Sequence, residues 1–91
     1  MAGKATATID FGSTPVAEGQ FTITDANISA SSVVEPFVQV TSTAQNDQEA
    51  HRHAAASWKL VALPGTGQFT LYVTCLMDLC YGQFVIQYAY A

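Results

Sequence analysis

The most regular feature of the chain is an alternation of apolar and polar residues with a period of two. Between residues 68 and 75, and again between residues 83 and 90, every second residue is apolar. Successive side chains of a β-strand point to opposite faces of a sheet, so this period is typical of strands with one face in a core. We therefore predict strands over 68–75 and 83–90, the second with two fairly apolar faces.

Four further segments alternate less strictly and are also predicted as strands. They are 5–11, 20–24, 32–43 and 54–63. Pro36 has no backbone N–H to donate, which favours an edge position or a bulge near the start of the third of these strands. Trp58 lies on the apolar side of the fourth and is the expected core anchor.

Residues that favour turns separate these strands, at 12–15, 25–27, 64–67 and 81–82. Short strands spaced by such turns are typical of all-β proteins. We predict a single domain over residues 1–91, a small antiparallel β-sandwich or jelly-roll-like barrel of about six to seven strands. The polar stretch 44–53 is interpreted as a loop or a short helical turn, and 76–79 as a helical turn that caps the barrel.

The composition of the chain is unusually poor in charge for a protein of its size. Of its 91 residues 49% are hydrophobic and 11% are charged, against roughly 25% charged in ordinary soluble domains. Disordered chains show the opposite imbalance, and no apolar run is long enough to span a bilayer. We infer that other subunits cover much of the surface, which predicts a homo-oligomer such as a trimer.

The balance of charge and the polarity of the first residues argue against a nucleic-acid partner and against secretion. Three basic residues against seven acidic ones give a formal net charge of −4, and binding to a phosphate backbone needs clustered Lys and Arg, so we expect no nucleic-acid partner. The first ten residues are too polar for a secretory signal, so we expect synthesis in a cytoplasm and no membrane association.

One group of residues has the composition of a metal site. Asp47, Glu49, His51 and His53 recur at every second position, so an extended segment would align two carboxylates and two imidazoles on one face. The alternative is a surface loop that simply collects polar residues, and we favour it because the sequence shows no distant further ligand. In a trimer, three copies of 51–53 around an axis would offer six imidazoles. No cofactor is predicted.

The two cysteines, Cys75 and Cys80, are five positions apart. In one continuous strand they would face opposite sides, so a disulfide between them requires a turn. The simplest interpretation makes Cys75 a small buried apolar residue, and a cytoplasmic origin disfavours the disulfide.

The motifs of the common catalytic sites are missing from the sequence. It contains no Gly-x-Ser-x-Gly elbow, no His-Glu-x-x-His and no phosphate-binding loop. Asp10, Asp25 and Asp78 stand at strand ends or turns, where aspartate is ordinary. We therefore predict that the chain is not an enzyme.

Five aromatic residues are candidates for a subunit interface or for stacking against a glycan, because Tyr and Trp are enriched at such surfaces. They are Trp58, Tyr72, Tyr81, Tyr88 and Tyr90. The alternative that we favour for these residues is a place in the core or in a subunit interface.

Two parts of the chain resemble small bacteriophage structural proteins. The first part is residues 9–18 continued by 21–26, and the second is 64–71 with 82–88; together they cover about half of the chain. The resemblance lies in turns and strand faces, so it implies a virion context and assigns no functional residue. It implies a capsid decoration (cement) protein whose partners are itself and the major capsid or other virion proteins. The alternative is a tail or head-fibre module that binds a host receptor.

Overall fold

The structure is a computed structural model that describes residues 3–91. Within these residues the chain forms six strands and one helix. In chain order they are β1 Gly3–Asp10, β2 Glu18–Thr24, β3 Val34–Val38, α1 Gln48–Ser57, β4 Trp58–Gly65, β5 Gln68–Cys75 and β6 Gln83–Tyr90. The predicted fold class is confirmed, because these strands form a small antiparallel β-sandwich.

The strands form two three-stranded antiparallel sheets with the orders β1-β6-β3 and β2-β5-β4. The two strands with the strictest alternation, β5 and β6, are the central strands of the two sheets. A central strand pairs on both sides and has one face in the core, so its sequence alternates more strongly than that of an edge strand. Pro36 lies in β3, which pairs with β6 alone, as the edge prediction requires.

The core lies between the two sheets. Its most buried side chains include Phe69 and Leu71 from β5 and Ile86 from β6. Trp58 is half-buried and packs its ring edge-on against Phe84, with ring centroids 4.7 Å apart. The prediction that Trp58 anchors the core is confirmed.

The segment from residue 44 to residue 63 differs from the prediction. We predicted a loop or short helical turn over 44–53 and a strand from residue 54, but α1 runs through residue 57 and β4 begins at Trp58. Alanines at 54–56 satisfy an alternating pattern, yet alanine is also the strongest helix former. The Asp47 side chain caps the helix by accepting a hydrogen bond from the Ala50 N–H at 2.8 Å.

Two shorter corrections concern β3 and the end of β5. The strand predicted over 32–43 is regular only from Val34 to Val38. Residues 76–79 form a bend rather than a helical turn, and they protrude from the sheet. No helix within residues 3–91 is both long and apolar enough to cross a bilayer.

The turns fall where Gly and Pro predicted them. The hairpin between β4 and β5 turns at Gly67, whose φ is +71°, and the approach to β6 turns at Gly82, whose φ is +73°. A Cβ atom at Gly82 would lie 2.5 Å from the Gln45 Cβ. Glycine at this position therefore permits both the positive φ and the close approach of the segment that precedes α1.

Candidate interaction surfaces

The structure does not form the row of metal ligands that the spacing suggested. Because 47–53 lies at and within a helix, residues two apart point about 200° away from each other. Asp47 caps α1, and Glu49 pairs with Arg52 on the exposed side. The hydrogen bond and the charge of Arg52 lower the pKa of Glu49. Across residues 3–91 no three His, Cys, Asp or Glu side chains lie close enough together to hold a metal ion.

The two histidines of α1 have different surroundings. His51 is 0% exposed, and its Nε2 accepts a hydrogen bond from the Val85 N–H of β6 at 3.0 Å. Nε2 is therefore unprotonated, so Nδ1 carries the hydrogen and donates it to the Asp47 carbonyl oxygen at 3.0 Å. His53 is exposed, and its Nε2 lies 3.0 Å from an Asp78 carboxylate oxygen. His51 thus docks the helix on the sheet, and His53 belongs to the surface.

The five aromatic candidates divide between core and surface. Tyr88 is 3% exposed, which agrees with the favoured place in the core and leaves no ring surface for a glycan. Trp58 and Tyr90 are half-buried and pack against the core. Tyr72 and Tyr81 are 39% and 46% exposed. Of the five candidates, these two side chains are the ones available to a partner.

The hydroxyl of Tyr88 is occupied within the fold. It donates a hydrogen bond to the Asp25 carboxylate at 2.7 Å. This bond lowers the pKa of Asp25, and a second contribution comes from the Asn27 N–H. Burial, followed by the neighbouring carboxylate, raises the pKa of Tyr88 to about 12. Asp25 lies in the turn after β2 and Tyr88 in β6, so the bond ties the two sheets together.

The cysteines are both free thiols, and their burial differs from the expectation. Cys80 is buried and Cys75 is half-buried. The Trp58 indole N–H donates to the Cys80 Sγ at 3.1 Å. Burial, and after it a hydrogen bond with Cys80, raise the pKa of Cys75 to about 12. The turn that a disulfide between them would require is present at 76–79.

Large apolar side chains are exposed in three places among the described residues. The first group lies in and beside β3, the second on the outer face of the β2-β5-β4 sheet, and the third in the bend after β5. They are Val33, Phe37 and Val40; Val61, Leu63 and Tyr72; and Leu76, Met77, Leu79 and Tyr81. In the bend the apolar side chains reach the highest exposure, 71% at Met77. Contiguous exposed apolar surface of this kind marks interaction sites.

The outer side of the β2-β5-β4 sheet, which we call the flat face, has an ordered arrangement of charge. The register aligns Glu18 of β2 with Thr74 of β5, and Thr74 with Lys59 of β4. The other side chains on the outer side of β2, β4 and β5 are uncharged: they are Val, Leu, Tyr, Thr and Gln. Glu18 and Lys59 thus stand at opposite edges of the flat face, two strand spacings or about 9.6 Å apart.

The other sheet repeats this arrangement. Lys4 of β1 and Glu35 of β3 flank Ala89 of the central strand β6 in one row. Within residues 3–91 no ion pair involves these two residues or Glu18 and Lys59, whereas Arg52 and His53 have acidic partners. Both sheets therefore carry a transverse row in which a Lys and a Glu stand unpaired at opposite edges.

A cleft opens where α1 meets the bend after β5. Its volume is about 160 Å³, and its lining includes Tyr81, the His53–Asp78 pair and the buried Asn46. The Asn46 side-chain amide donates to the carbonyl oxygens of Tyr81 and Gln83 at 2.9 and 2.8 Å. The fold thus fixes Asn46, and the exposed Tyr81 ring and the His53–Asp78 pair lie at the surface of the cleft.

Sequence reasoning missed the apolar bend and the transverse charges. Leu76, Met77 and Leu79 were visible as apolar residues, but they were interpreted as part of a helical turn that caps the barrel and not as an exposed surface. The rows of Lys and Glu depend on the pairing register of distant strands, for which a single sequence carries no direct signal.

Comparison with protein-family models, with curated proteins and with solved structures finds no match to this chain.

Proposed function

We propose that the chain is a non-enzymatic structural protein of a bacteriophage virion, and that it acts as a capsid decoration protein. The observation that carries this proposal is the surface: within residues 3–91 ten large apolar side chains are exposed, while charges are few and several are engaged with each other. Burial of such a surface stabilises a contact by about 25 cal/mol per Å² of apolar area. The function is therefore adhesion to neighbouring subunits.

The geometry of a thin sandwich suits this role. The flat face offers one docking surface, and the bend with Leu76, Met77 and Leu79 offers a second at the end of β5. A chain that binds two neighbours at once covers the seam between them. On a symmetric shell several small contacts act together by avidity, so each one can be weak.

The flat face also fits a second copy of the chain. A twofold axis parallel to β5 exchanges the two edges of the sheet, so that Glu18 of one copy faces Lys59 of the other. Packed sheets lie about 10 Å apart, which extended Lys and Glu side chains span together. The twofold contact then forms two Glu18–Lys59 pairs, so that each unpaired charge of the flat face gains one partner, which supports self-association through this surface.

The test is made on purified particles of the phage that encodes the chain. We expect quantitative mass spectrometry to give a copy number comparable with that of the major capsid protein, and cryo-electron microscopy to place the chain at capsomer junctions. Particles that lack the chain should release their DNA at a lower temperature than wild-type particles. Absence of the chain from the particles would contradict the proposal.

The cleft favours one second candidate, a fibre module that binds a host glycan. The exposed Tyr81 ring beside the Asp78 carboxylate combines a stacking surface with a hydrogen-bond acceptor, as sugar sites do. For this function we expect few copies per particle. Tyr81→Ala should then reduce attachment to the host without changing the temperature of DNA release. Tyr72 lies outside the cleft, so Tyr72→Ala should not reduce attachment.

A further inference from the structure

The backbone places Cys75 and Cys80 next to each other at the end of the flat sheet. The Cys75 N–H donates to the Ala17 carbonyl oxygen at 2.8 Å. The preceding residue, Val16, exchanges two hydrogen bonds with Cys80, at 2.9 and 2.8 Å. Two consecutive residues of one segment therefore pair with Cys75 and Cys80, so the two cysteines close the neck of the loop that residues 76–79 form.

The side chains converge on the same place. Trp58 pairs with Cys75 in the register of β4 and β5, and its indole N–H contacts the Cys80 Sγ. Burial first, and then the neighbouring Cys80 thiol, raise the pKa of Cys75. Cys75 shares the inner face of β5 with the buried Val73, and Cys80 is itself buried against Trp58, so both side chains lie on the core side. A disulfide requires the two Cβ atoms to lie about 3.5–4.5 Å apart, and the shared neighbour Trp58 brings the two side chains to one place.

We propose that Cys75 and Cys80 form an intramolecular disulfide when the chain meets a small-molecule disulfide such as oxidised glutathione. One cysteine thiolate attacks a sulfur of glutathione disulfide and displaces one glutathione thiolate. The second cysteine thiolate then attacks the mixed disulfide at the protein sulfur and displaces the second glutathione. The protein loses two protons and two electrons, and one oxidised glutathione becomes two reduced molecules. This inference does not depend on the proposed function.

The consequence is a change in the bend with the exposed Leu76 and Met77. In the reduced chain the loop is held at its neck by backbone hydrogen bonds. The disulfide closes the neck covalently and restricts the loop before any partner is bound. A surface ordered in advance binds with a smaller entropic cost. Oxidation outside the reducing cytoplasm would thus prepare this apolar bend for contact.

The test starts from the reduced full-length chain, incubated with excess oxidised glutathione under native conditions at low protein concentration. We expect both free thiols to disappear and the intact mass to fall by about 2 Da, with no glutathione adduct. Chymotrypsin cleaves after Leu76 and Leu79, so the fragments that carry the two cysteines should stay linked until a reductant is added. Because burial raises the pKa of Cys75 to about 12, the reaction should be slow at neutral pH and faster at pH 9.

Two single variants and one optical signal complete the test. Cys75→Ser and Cys80→Ser should each show no mass loss. Trp58 fluorescence should fall on oxidation of the wild type and recover on reduction, because the indole contacts Cys80, and it should not respond in Cys75→Ser. The thermal midpoint of the oxidised chain should rise by roughly 5 °C. A stable glutathione adduct, a disulfide-linked dimer, a lowered midpoint, or native thiols that stay reduced while the denatured chain reacts would each overturn the proposal.

Discussion

At the scale of single residues, polar groups help to join the two layers. The bond from the Tyr88 hydroxyl to the Asp25 carboxylate connects β6 to the turn after β2. The other oxygen of the same carboxylate accepts a hydrogen bond from the Asn27 N–H at 2.9 Å. The carboxylate therefore shapes its own turn and holds the opposite sheet. Hydrogen bonds to charged groups are stronger than those between neutral groups.

Replacement of Tyr88 by Phe tests this connection. We expect Tyr88→Phe to lower the free energy of unfolding at pH 7 by about 1–2 kcal/mol, the range for a hydrogen bond to a charged group. The pKa of Asp25 is lowered in the fold, so the difference from wild type should be complete above pH 3.8 and disappear as the pH falls below it. Urea unfolding at a series of pH values measures it.

At alkaline pH the free energy of unfolding changes with pH in the opposite direction. The pKa of Tyr88 is raised from 10.0 to about 12 in the fold, so the wild type should lose stability as the pH rises through this interval, and Tyr88→Phe should not. Tyr90→Phe is the matched control, because no hydrogen bond of the Tyr90 hydroxyl occurs within residues 3–91. Equal losses in the two variants would contradict the assignment.

At the scale of elements, His51 docks α1 on the β-sandwich. α1 buries His51 and Ala54 and leaves its other residues more exposed. His51 accepts from the Val85 N–H of the central strand β6, and its ring packs against Phe84 at a centroid distance of 4.9 Å. Without this acceptor a buried backbone N–H would lose its partner. The imidazole thus serves packing and backbone hydrogen bonding together.

The two histidines of α1 form a matched pair of variants. We expect His51→Ala to lower the free energy of unfolding by about 2–4 kcal/mol, since it opens a cavity and leaves the Val85 N–H unsatisfied. We expect less than about 1 kcal/mol for His53→Ala, whose pair with Asp78 is exposed to solvent. Thermal and urea unfolding of both variants measure the difference, and similar losses would show that His51 is not the anchor.

At the scale of the whole molecule, the distribution of charge favours association. The flat face carries its two charges at opposite edges, and the second sheet repeats the pattern with Lys4 and Glu35. The strands at these edges are β2 and β4 in one sheet and β1 and β3 in the other, and each pairs on one side within the part of the chain that the structure describes. A chain with these features offers complementary surfaces to copies of itself. We expect a contact with one copy through this small face to be weak and to gain strength by avidity in the proposed assembly.

Charge reversal on the flat face tests the twofold arrangement. We expect Glu18→Lys alone and Lys59→Glu alone each to weaken self-association by about tenfold, because each places like charges opposite one another. The double variant should restore the association, since the pairs are re-formed with exchanged signs. Sedimentation equilibrium at low salt over a wide concentration range measures this effect.

The same exchange on the second sheet serves as the control. Lys4→Glu together with Glu35→Lys, and each change alone, should leave the association unchanged if the flat face is the contact. Failure of the double variant on the flat face to recover, or a wild type that stays monomeric at every concentration, would contradict the arrangement.

How far a sequence predicts a fold is illustrated by β6 and α1. The alternation of β6 is dense in large apolar residues that suit a strand, and it placed Tyr88 on the same side as Phe84 and Ile86, which is where the core lies. The segment before Trp58 is built of alanine, whose small side chain fits both periods. Whether it became helix or strand depended on the Asp47 cap and on the space that β6 leaves for His51.

The candidate surfaces were less accessible to sequence reasoning. The low charge and the apolar excess follow from the composition alone, and from them we predicted that the chain has a surface suited to partners. Which residues form that surface depends on how strands distant along the chain pair with each other. Glu18 and Lys59 are aligned because both β2 and β4 pair with β5. The neighbouring thiols of Cys75 and Cys80 likewise depend on a bulge closed by Val16 and Ala17.

The amino-acid sequence by itself determined the all-β class, the places of most turns and the shortage of charge, because these properties arise from side-chain period and composition within a few residues. The tertiary structure alone decided the helix before β4, the burial of His51 and the alignment of distant charges and thiols. These features depend on which strands become neighbours and in which register, and the free energy of that choice is spread over the whole core.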